Sequence, residues 1–324
     1  MSRSPFAADP AVATRRAALV ARTGVAFADH LEPALAAVGR DPVHPRAIVP
    51  AEVVRRLVRD LDLTSVEEVM LLALATAREL ASPPVSDYHV GAVGLAERSG
   101  DLLLGGNLEL PGASIWHTVH GEGSVTLLAR ARGERIATLA LTQARPCAHC
   151  RQVLTEIDGA HGDEGRPPLR LIDPAGHVLT LPDLYPWPFA PDDLGVRGCV
   201  PGVDAWPGLA LRDPGIPPRV AAALVAAGRR AHAPYSGAPS AVVLRLHGEA
   251  LLAGSVLENV AFNPTIGPLQ DALVIARASG TDLAAVDAAW LAEPAGAPVS
   301  HAASTRDALA TLVPEVAMHV TYWS

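Results

Sequence analysis

The first eighty residues alternate apolar and polar positions with the period of helices. Alanine, valine and leucine recur at helical spacing over residues 11–38 and 51–60, and this pattern predicts amphipathic helices. The motif Thr64-Ser65-Val66-Glu67 resembles a capping box, which predicts a third helix that runs to about Leu80. Because chemically reactive residues do not cluster in this region, we assign it a packing role.

From residue 90 onward, short apolar runs typical of strands alternate with helical stretches. A turn at Arg98-Ser99-Gly100-Asp101 joins the first two runs, and this predicts a β-hairpin. The predicted strands cover residues 90–96, 102–106, 135–142, 169–172 and 178–181. The predicted helices cover residues 120–132 and 147–158. The alternation predicts an α/β sandwich with a mixed sheet.

A second set of elements follows residues 186–218, which are rich in proline and glycine and are predicted to form a connector. The pattern then predicts a helix, two strands and a further helix, at residues 219–233, 240–246, 250–255 and 268–279. The segments 88–109 and 235–259 share one order of strand, turn and strand before a helix. We interpret this match as a duplication of one unit.

The size and the cationic residues of the chain narrow its possible functions. The 324 residues, of which 49% are apolar, fit two or three domains with sizeable cores and exclude wholesale disorder. All 26 cationic residues are arginine. Without lysine, the chain cannot form a lysine Schiff base or a P-loop phosphate site.

Charge and cysteine content bear on partners and compartment. The formal net charge of −8 is opposite in sign to a nucleic-acid-binding surface. No apolar run reaches the length of a membrane span, and the N-terminus lacks the apolar stretch of a signal peptide. Three cysteines do not suit a disulfide scaffold. We therefore expect a cytoplasmic protein that binds neither nucleic acid nor membranes.

Two short motifs carry the candidate chemistry. The first is His120-Gly121-Glu122 and the second is Pro146-Cys147-Ala148-His149-Cys150, each at the start of a predicted helix. A helix N-terminus favours the thiolate forms of the cysteines. One histidine and two thiolates provide three ligands for Zn²⁺ and leave the fourth tetrahedral position open for water, as in catalytic zinc sites.

Glu122 lies two residues after the histidine, where it can reach such a water without binding the metal. His-x-Glu combined with Pro-Cys-x-x-Cys is the signature of zinc-dependent nucleobase deaminases. A redox pair or half of a structural zinc site would explain Cys-x-x-Cys alone, but neither needs His-x-Glu. We interpret His149 as a solvent-facing residue and Cys199 as a passive thiol. The second copy lacks both motifs and is expected to be inactive.

With these motifs in place, the chain resembles the larger homodimeric cytidine deaminases. The resemblance spans nearly the whole sequence and rests on Ser86–Val93, Gly106–Glu109, Thr118–Glu122, Pro146–Gln152, Phe189–Leu194, Ala233–Gly237, Glu258–Pro264 and Pro268–Gln270. It implies a duplicated three-layer α/β/α sandwich with a mixed sheet, and a homodimer. It also implies an N-terminal helical segment over 1–65, a catalytic domain over 66–195 and a degenerate, non-catalytic copy over 196–324.

The resemblance further implies roles for individual residues and a reaction. The implied zinc ligands are His120, Cys147 and Cys150, with Glu122 as the catalytic acid and base. The implied substrate contacts are Asn107 and Glu109 at the ribose 3′-hydroxyl, Tyr88 near the base, Gly121 and the carbonyl of residue 144 or 145 at the pyrimidine edge, and Phe189 over the pocket. The expected reaction is hydrolytic deamination of the nucleosides cytidine and 2′-deoxycytidine, with release of ammonia, in pyrimidine salvage.

Three positions depart from the pattern of that family. Gly121 stands where alanine is usual, Arg145 stands where a small or polar residue is usual, and Tyr88 replaces phenylalanine. None of these changes removes an implied metal ligand or Glu122. They leave open a deaminase of a modified cytosine nucleoside, such as a nucleoside antibiotic. A non-catalytic binding protein that kept the fold is a further alternative.

Overall fold

The chain begins with three helices, as the apolar pattern predicts. The computed structural model, which describes residues 6–142, 145–158 and 167–324, contains α1 (Pro10–Val38), α2 (Ala51–Asp60) and α3 (Val66–Glu79). The side chain of Asp9 accepts hydrogen bonds from the first amides of α1, and that of Ser65 accepts one from the amide of Glu68 in α3. These caps supply partners for amide groups that the helices themselves leave unpaired.

The first sheet has six strands and mixed topology. Its strands are β1 (Ile48–Val49), β2 (Gly91–Ala96), β3 (Leu102–Gly106), β4 (Ile136–Leu141), β5 (Arg170–Ile172) and β6 (Val178–Thr180). They lie in the order β1-β3-β2-β4-β5-β6, and only β4 and β5 pair in parallel. The hairpin and the later strands agree with the sequence prediction, which did not include the two-residue β1.

Helices cover both faces of this sheet. On one face, Val93 and Leu104 pack in the cluster that contains Met70 of α3. On the other face, Leu139 packs with Val125 of α4 (Gly121–Ala131) and Leu154 of α5 (Ala148–Asp158). The arrangement confirms the expected three-layer α/β/α sandwich, and it places α4 and α5, whose N-termini carry the two chemical motifs, in the same layer.

A second, four-stranded sheet follows the short helix α6 (Leu181–Leu184) and the connector. It is built from β7 (Ala241–Leu246), β8 (Leu251–Ser255), β9 (Val286–Glu293) and β10 (Met318–Tyr322), in the order β10-β9-β7-β8. The helices of this half are α7 (Pro218–Arg229), α8 (Pro268–Ser279) and α9 (Ala302–Leu312). The sequence pattern predicted neither β9, α9 nor β10.

Strand pairing confirms that the chain is duplicated. Antiparallel ladders join β2 to β3 and β4, and the same ladders join β7 to β8 and β9, with a register shift near the end of β2 and of β7. Isolated bridges also correspond: Ser82, Leu108 and Val119 pair in one half as His232, Leu257 and Ile266 pair in the other. Equivalent residues can therefore be assigned from backbone pairing, independently of sequence similarity.

The two halves share one apolar cluster. Leu127 and Leu128 of α4 belong to the same buried cluster as Leu273 and Val274 of α8.

No helix in the described part of the chain is long and apolar enough to cross a membrane.

Candidate active site

The predicted metal ligands come together at the N-termini of two neighbouring helices. His120 is the residue immediately before α4, Cys147 immediately precedes α5, and Cys150 lies in the first turn of α5. The Nδ1 atom of His120 lies 3.2 Å from the Sγ atom of Cys150 and 3.5 Å from that of Cys147. The two sulfur atoms are 3.6 Å apart.

These separations fit a tetrahedral zinc ion. Zinc–sulfur bonds of about 2.3 Å and zinc–nitrogen bonds of about 2.0–2.1 Å at tetrahedral angles place two sulfurs about 3.8 Å apart, and a sulfur and a nitrogen about 3.6 Å apart. The described residues contain no other group of three His, Cys, Asp or Glu side chains that could hold a metal ion. The donor set of one imidazole and two thiols is the one that catalytic zinc sites of this kind use.

The local hydrogen bonds favour a thiolate at Cys147. Hydrogen bonds from the thiol of Cys150 and from His120 lower the pKa of Cys147 to about 3. The same bond to Cys147, together with burial, raises the pKa of Cys150 well above its usual value. The hydrogen bond to Cys147 raises the pKa of His120. Metal binding requires both thiolates and therefore releases the proton that Cys150 holds.

Glu122 is a buried acid beside these ligands. Its side chain lies in the first turn of α4, and the residue is 7% exposed. Desolvation raises its pKa, although its own backbone amide and the charge of His120 act in the opposite direction. A carboxylic acid with a raised pKa can both accept and donate a proton near neutral pH, as a general acid and base must.

Asn107 and Glu109 both hold the loop that leads into β2. The buried side chain of Asn107 accepts from the amide of Val90, 2.9 Å away, and donates to the carbonyl of Tyr88, 2.9 Å away. Glu109 accepts from the hydroxyl of Ser86 at 2.5 Å and from the amides of Val85 and Ser86.

Desolvation acts to raise the pKa of Glu109, but the hydrogen bonds from Ser86 and Val85 outweigh it, and the pKa is lowered. Glu109 is therefore held as a carboxylate. The second copy repeats this clamp, since Glu258 accepts from the hydroxyl of Ser236 and from the amides of Tyr235 and Ser236.

The remaining predicted substrate contacts lie at the surface or in the first turn of α4. Tyr88 and Phe189 are 54% and 43% exposed, and the carbonyl of Phe189 accepts from the side-chain amide of Gln152 in α5 at 2.6 Å. Gly121 is buried, and a Cβ atom there would lie 3.3 Å from the Cβ of Ala92. Arg145 is exposed. Residue 144, the alternative source of the predicted carbonyl, lies outside the described residues.

Sequence reasoning missed the part of the site that the second copy supplies. His149 is half-buried rather than solvent-facing, so that expectation was wrong. Desolvation lowers the pKa of its ring, and the backbone of Pro264 acts in the opposite direction. A cavity of about 20 Å³ separates His120 and Cys150 from Thr265, Ile266 and Gln270. The segment 265–270 therefore forms one wall beside the ligands. Sequence periodicity does not predict this wall, because contacts between distant parts of the chain leave no periodic signal.

The second copy has no equivalent of the ligands at the matching helix. Backbone pairing aligns Val119 with Ile266, so Gly267 and Leu269 stand where His120 and Glu122 stand in the first copy. The matching helix α8 begins at Pro268.

Comparison with known proteins agrees with this duplication. Residues 63–161 and residues 181–306 each match the family described as the zinc-binding region of cytidine and deoxycytidylate deaminases. The chain is 37% identical over 253 residues to a cytidine deaminase of Serratia proteamaculans (strain 568), covering 78% of this chain and 81% of that protein. It is 35% identical over 261 residues to a cytidine deaminase of Shewanella oneidensis, covering 81% and 84% of the two chains. The chain therefore belongs to the cytidine deaminase family.

Proposed function

We propose that this protein is a zinc-dependent hydrolase that deaminates cytidine and 2′-deoxycytidine to uridine and 2′-deoxyuridine, with release of ammonia. One observation carries the proposal: His120, Cys147 and Cys150 converge at zinc-binding distances beside the buried acid Glu122. This combination provides a Lewis-acid site and a proton-transfer group together, and hydrolytic deamination requires both.

The metal and Glu122 have separate tasks in this reaction. When bound by His120, Cys147 and Cys150, zinc lowers the pKa of a water molecule and stabilises the charge that develops when C4 of the base becomes tetrahedral. Glu122 moves the protons. Its carboxylate takes one proton from the attacking water and gives it to N3 of the base as the water oxygen bonds to C4. It then moves the remaining proton of the C4 hydroxyl to the amine, which leaves as ammonia as the C4–N bond breaks and the C4 carbonyl forms. Burial keeps bulk water away from this carboxyl group.

The nucleoside would be held by residues on both sides of the ligands. We assign Asn107 and Glu109 to the ribose 3′-hydroxyl, and Tyr88 to stacking near the base. Their shared loop supports this assignment, because hydrogen bonds to Asn107 and Glu109 fix the backbone on either side of Tyr88 before substrate arrives. Gly121 would contact the pyrimidine edge through its backbone, and Phe189 would cover the pocket.

The proposed organisation has three regions. Residues 1–65 form a helical segment, residues 66–195 the catalytic domain, and residues 196–324 the non-catalytic copy. The separation of the sheets supports the boundary between the last two regions, since β2 to β6 lie in one sheet and β7 to β10 form the other. The first region adds the two-residue strand β1 to the edge of the first sheet. The protein would act in pyrimidine salvage in the cytoplasm, where a reducing environment keeps thiol ligands available.

A homodimer is the proposed assembly. Large side chains in and around the site segments are exposed, among them Trp116 (66%), Trp187 (94%) and Phe262 (62%). Exposed aromatic groups of this size mark surfaces that partners cover. Light scattering coupled to gel filtration is expected to give twice the chain mass of 33.6 kDa, and a monomer at micromolar concentration would contradict this part of the proposal.

The function is tested by following the loss of cytidine absorbance with the purified chain. Turnover is expected to disappear after zinc chelation and to return when zinc is added. The variant Glu122→Gln is expected to bind one zinc ion per chain but to lose turnover by about 10²- to 10⁴-fold. Turnover that survives complete zinc removal, or full turnover in this variant, would show that the proposed chemistry is wrong.

A further inference from the structure

Helix α5 contains a second buried acid that the proposed reaction does not use. Glu156 lies six residues after Cys150 on the same helix, and its side chain is completely buried. A buried carboxylate is costly unless it is fully hydrogen-bonded. The position of Glu156 therefore depends on the groups that bond to it.

The hydrogen-bond donors to Glu156 come from the second copy. Its Oε1 atom accepts from the Nε2 atom of His232 at 2.6 Å and from the hydroxyl of Tyr235 at 2.7 Å. Its Oε2 atom accepts from the amide of Val260 at 2.9 Å. The carboxylate thus joins the metal-ligand helix to two separate segments of the second copy.

Backbone bonds add to this attachment. The side-chain amide of Asn259 donates to the carbonyl of Gln152 in α5 at 2.9 Å, and the amide of Cys199 donates to the carbonyl of Glu156 at 2.7 Å. Because a helix carbonyl can accept two bonds, these contacts fix α5 without disturbing it. Hydrogen bonds therefore hold α5 both at the side chain of Glu156 and at the backbone carbonyls of Gln152 and Glu156.

The attachment is not a remnant of the repeated fold. The bridges that align the copies make Ser82 the first-copy equivalent of His232. The matching clamps on Ser86 and Ser236 likewise make Val85 the equivalent of Tyr235. The first copy thus lacks both donor side chains. Because these two donors occur only in the second copy, we explain them by what they contact. That contact is α5, the helix that carries Cys147 and Cys150.

The same segment of the second copy reaches the metal ligands. The amide of Val260 bonds to Glu156, and Thr265 and Ile266 line the small cavity that His149 and Cys150 also line. Residues 259–266 therefore run along α5 from Glu156 to its N-terminus. A shift at Glu156 would be passed to the end of the helix that holds the ligands.

We infer that Glu156, bonded to His232 and Tyr235, is a positioning residue that sets Cys147 and Cys150 relative to His120 and Glu122. Although the second copy lacks the metal ligands, it then has a role in the site, because it fixes the metal-ligand helix of the first copy. The activity readout of this inference rests on the proposed deaminase function, whereas its spectroscopic readout does not.

The test uses Glu156→Gln, which keeps the shape of the side chain but replaces one accepting oxygen with an NH₂ group. That group then faces either His232 and Tyr235 or the amide of Val260, all of which donate to the carboxylate. Glu293→Gln is the matched control. Glu293 is also a buried carboxylate, and it accepts from the hydroxyl of Ser300 and the amide of His301, both within the second copy. Both variants are loaded with Co²⁺ in place of zinc, and their absorption spectra, zinc affinities, kcat and KM are compared with the wild type.

Glu156→Gln is expected to change the cobalt spectrum and to lower kcat or zinc affinity by about 10-fold or more, as do groups that orient metal ligands. Glu293→Gln is expected to lose stability while keeping the spectrum and kcat. If Glu156→Gln does not fold, Tyr235→Phe, which removes one donor, is expected to shift the spectrum in the same direction. A folded Glu156→Gln, or failing that Tyr235→Phe, with the wild-type spectrum and zinc affinity overturns the inference. A wild-type chain that leaves cytidine intact refutes the proposed function instead, while the spectra still decide this question.

Discussion

The buried ion pair between Arg130 and Asp271 provides a direct test of how the two copies hold together. Arg130 lies in α4, the helix that also carries Glu122, and Asp271 lies in α8 of the second copy. Their Nη2 and Oδ2 atoms are 2.6 Å apart, and both side chains are less than a tenth exposed. Arg130 also donates to the carbonyls of Ser255 and Val256. The change Arg130→Met removes all three bonds and keeps an apolar stem.

The magnitude follows from what the substitution leaves behind. Among the residues that the structure describes, the Oδ1 atom of Asp271 is buried without a partner. After the loss of Arg130, the carboxylate therefore keeps, of these described donors, only the amide of Ser255. Breaking a buried pair from one side costs about 3–5 kcal/mol. For a chain of 324 residues that corresponds to a fall in Tm of about 4–7 °C.

Urea denaturation followed by circular dichroism gives the free energy of unfolding, and calorimetry gives the Tm. Arg40→Met is the control, because Arg40 pairs with Glu32 at the surface and should cost less than about 1 kcal/mol. The double variant Arg130→Met/Asp271→Leu should recover most of the loss, since it removes the stranded charge as well. A loss below about 1 kcal/mol in Arg130→Met would refute the reasoning.

Three further measurements test local environments. Cys199 is buried and burial raises its pKa to about 11, so iodoacetamide at pH 8 should leave it unlabelled by mass spectrometry until the chain is unfolded; labelling in the native protein would contradict the burial. Desolvation acts to raise the pKa of Asp41, but hydrogen bonds from His44 and Arg132 outweigh this effect and lower that pKa. Its ionisation therefore stabilises the fold above pH 3.8, and the stability lost in Asp41→Asn should shrink as the pH falls through the lowered pKa; a loss in urea titrations that does not vary with pH would exclude this linkage. A Cβ at Gly121 would lie 3.3 Å from Ala92 and 3.4 Å from Val90, so Gly121→Ala should change the unfolding free energy by less than about 1 kcal/mol in the same titrations; a larger loss would mean that these neighbours cannot move.

The sequence predicted the parts of the site that short-range patterns encode. His120 and Cys147 stand at the starts of helices that the apolar spacing places within one residue, and a helix start fixes the direction of the nearby side chains. Two motifs with 23 residues between them could therefore be combined into one metal site. Their distances then depended only on α4 and α5 lying in the same layer of the sandwich.

Contacts between the copies could not be predicted in this way. The wall at Thr265 and Ile266 and the bonds from His232 and Tyr235 to Glu156 join residues separated by 76 or more positions. Nothing in local spacing distinguishes Glu156 from an ordinary polar position on a helix. The burial of His149 could not be predicted for the same reason. Burial of these residues results from the packing of two domains, and one sequence carries no direct record of that packing.

The repeated clamp at Glu109 and Glu258 has a consequence for measurement. Each carboxylate holds an equivalent loop through the same three groups, but only the first loop adjoins the metal ligands. Glu258 therefore reports what such a clamp contributes to folding and, through Tyr235, to the position of Glu156, without a contact to the ribose. Comparing the same substitution at both positions separates that contribution from any contact with the ribose, so the molecule contains its own reference state for substrate recognition.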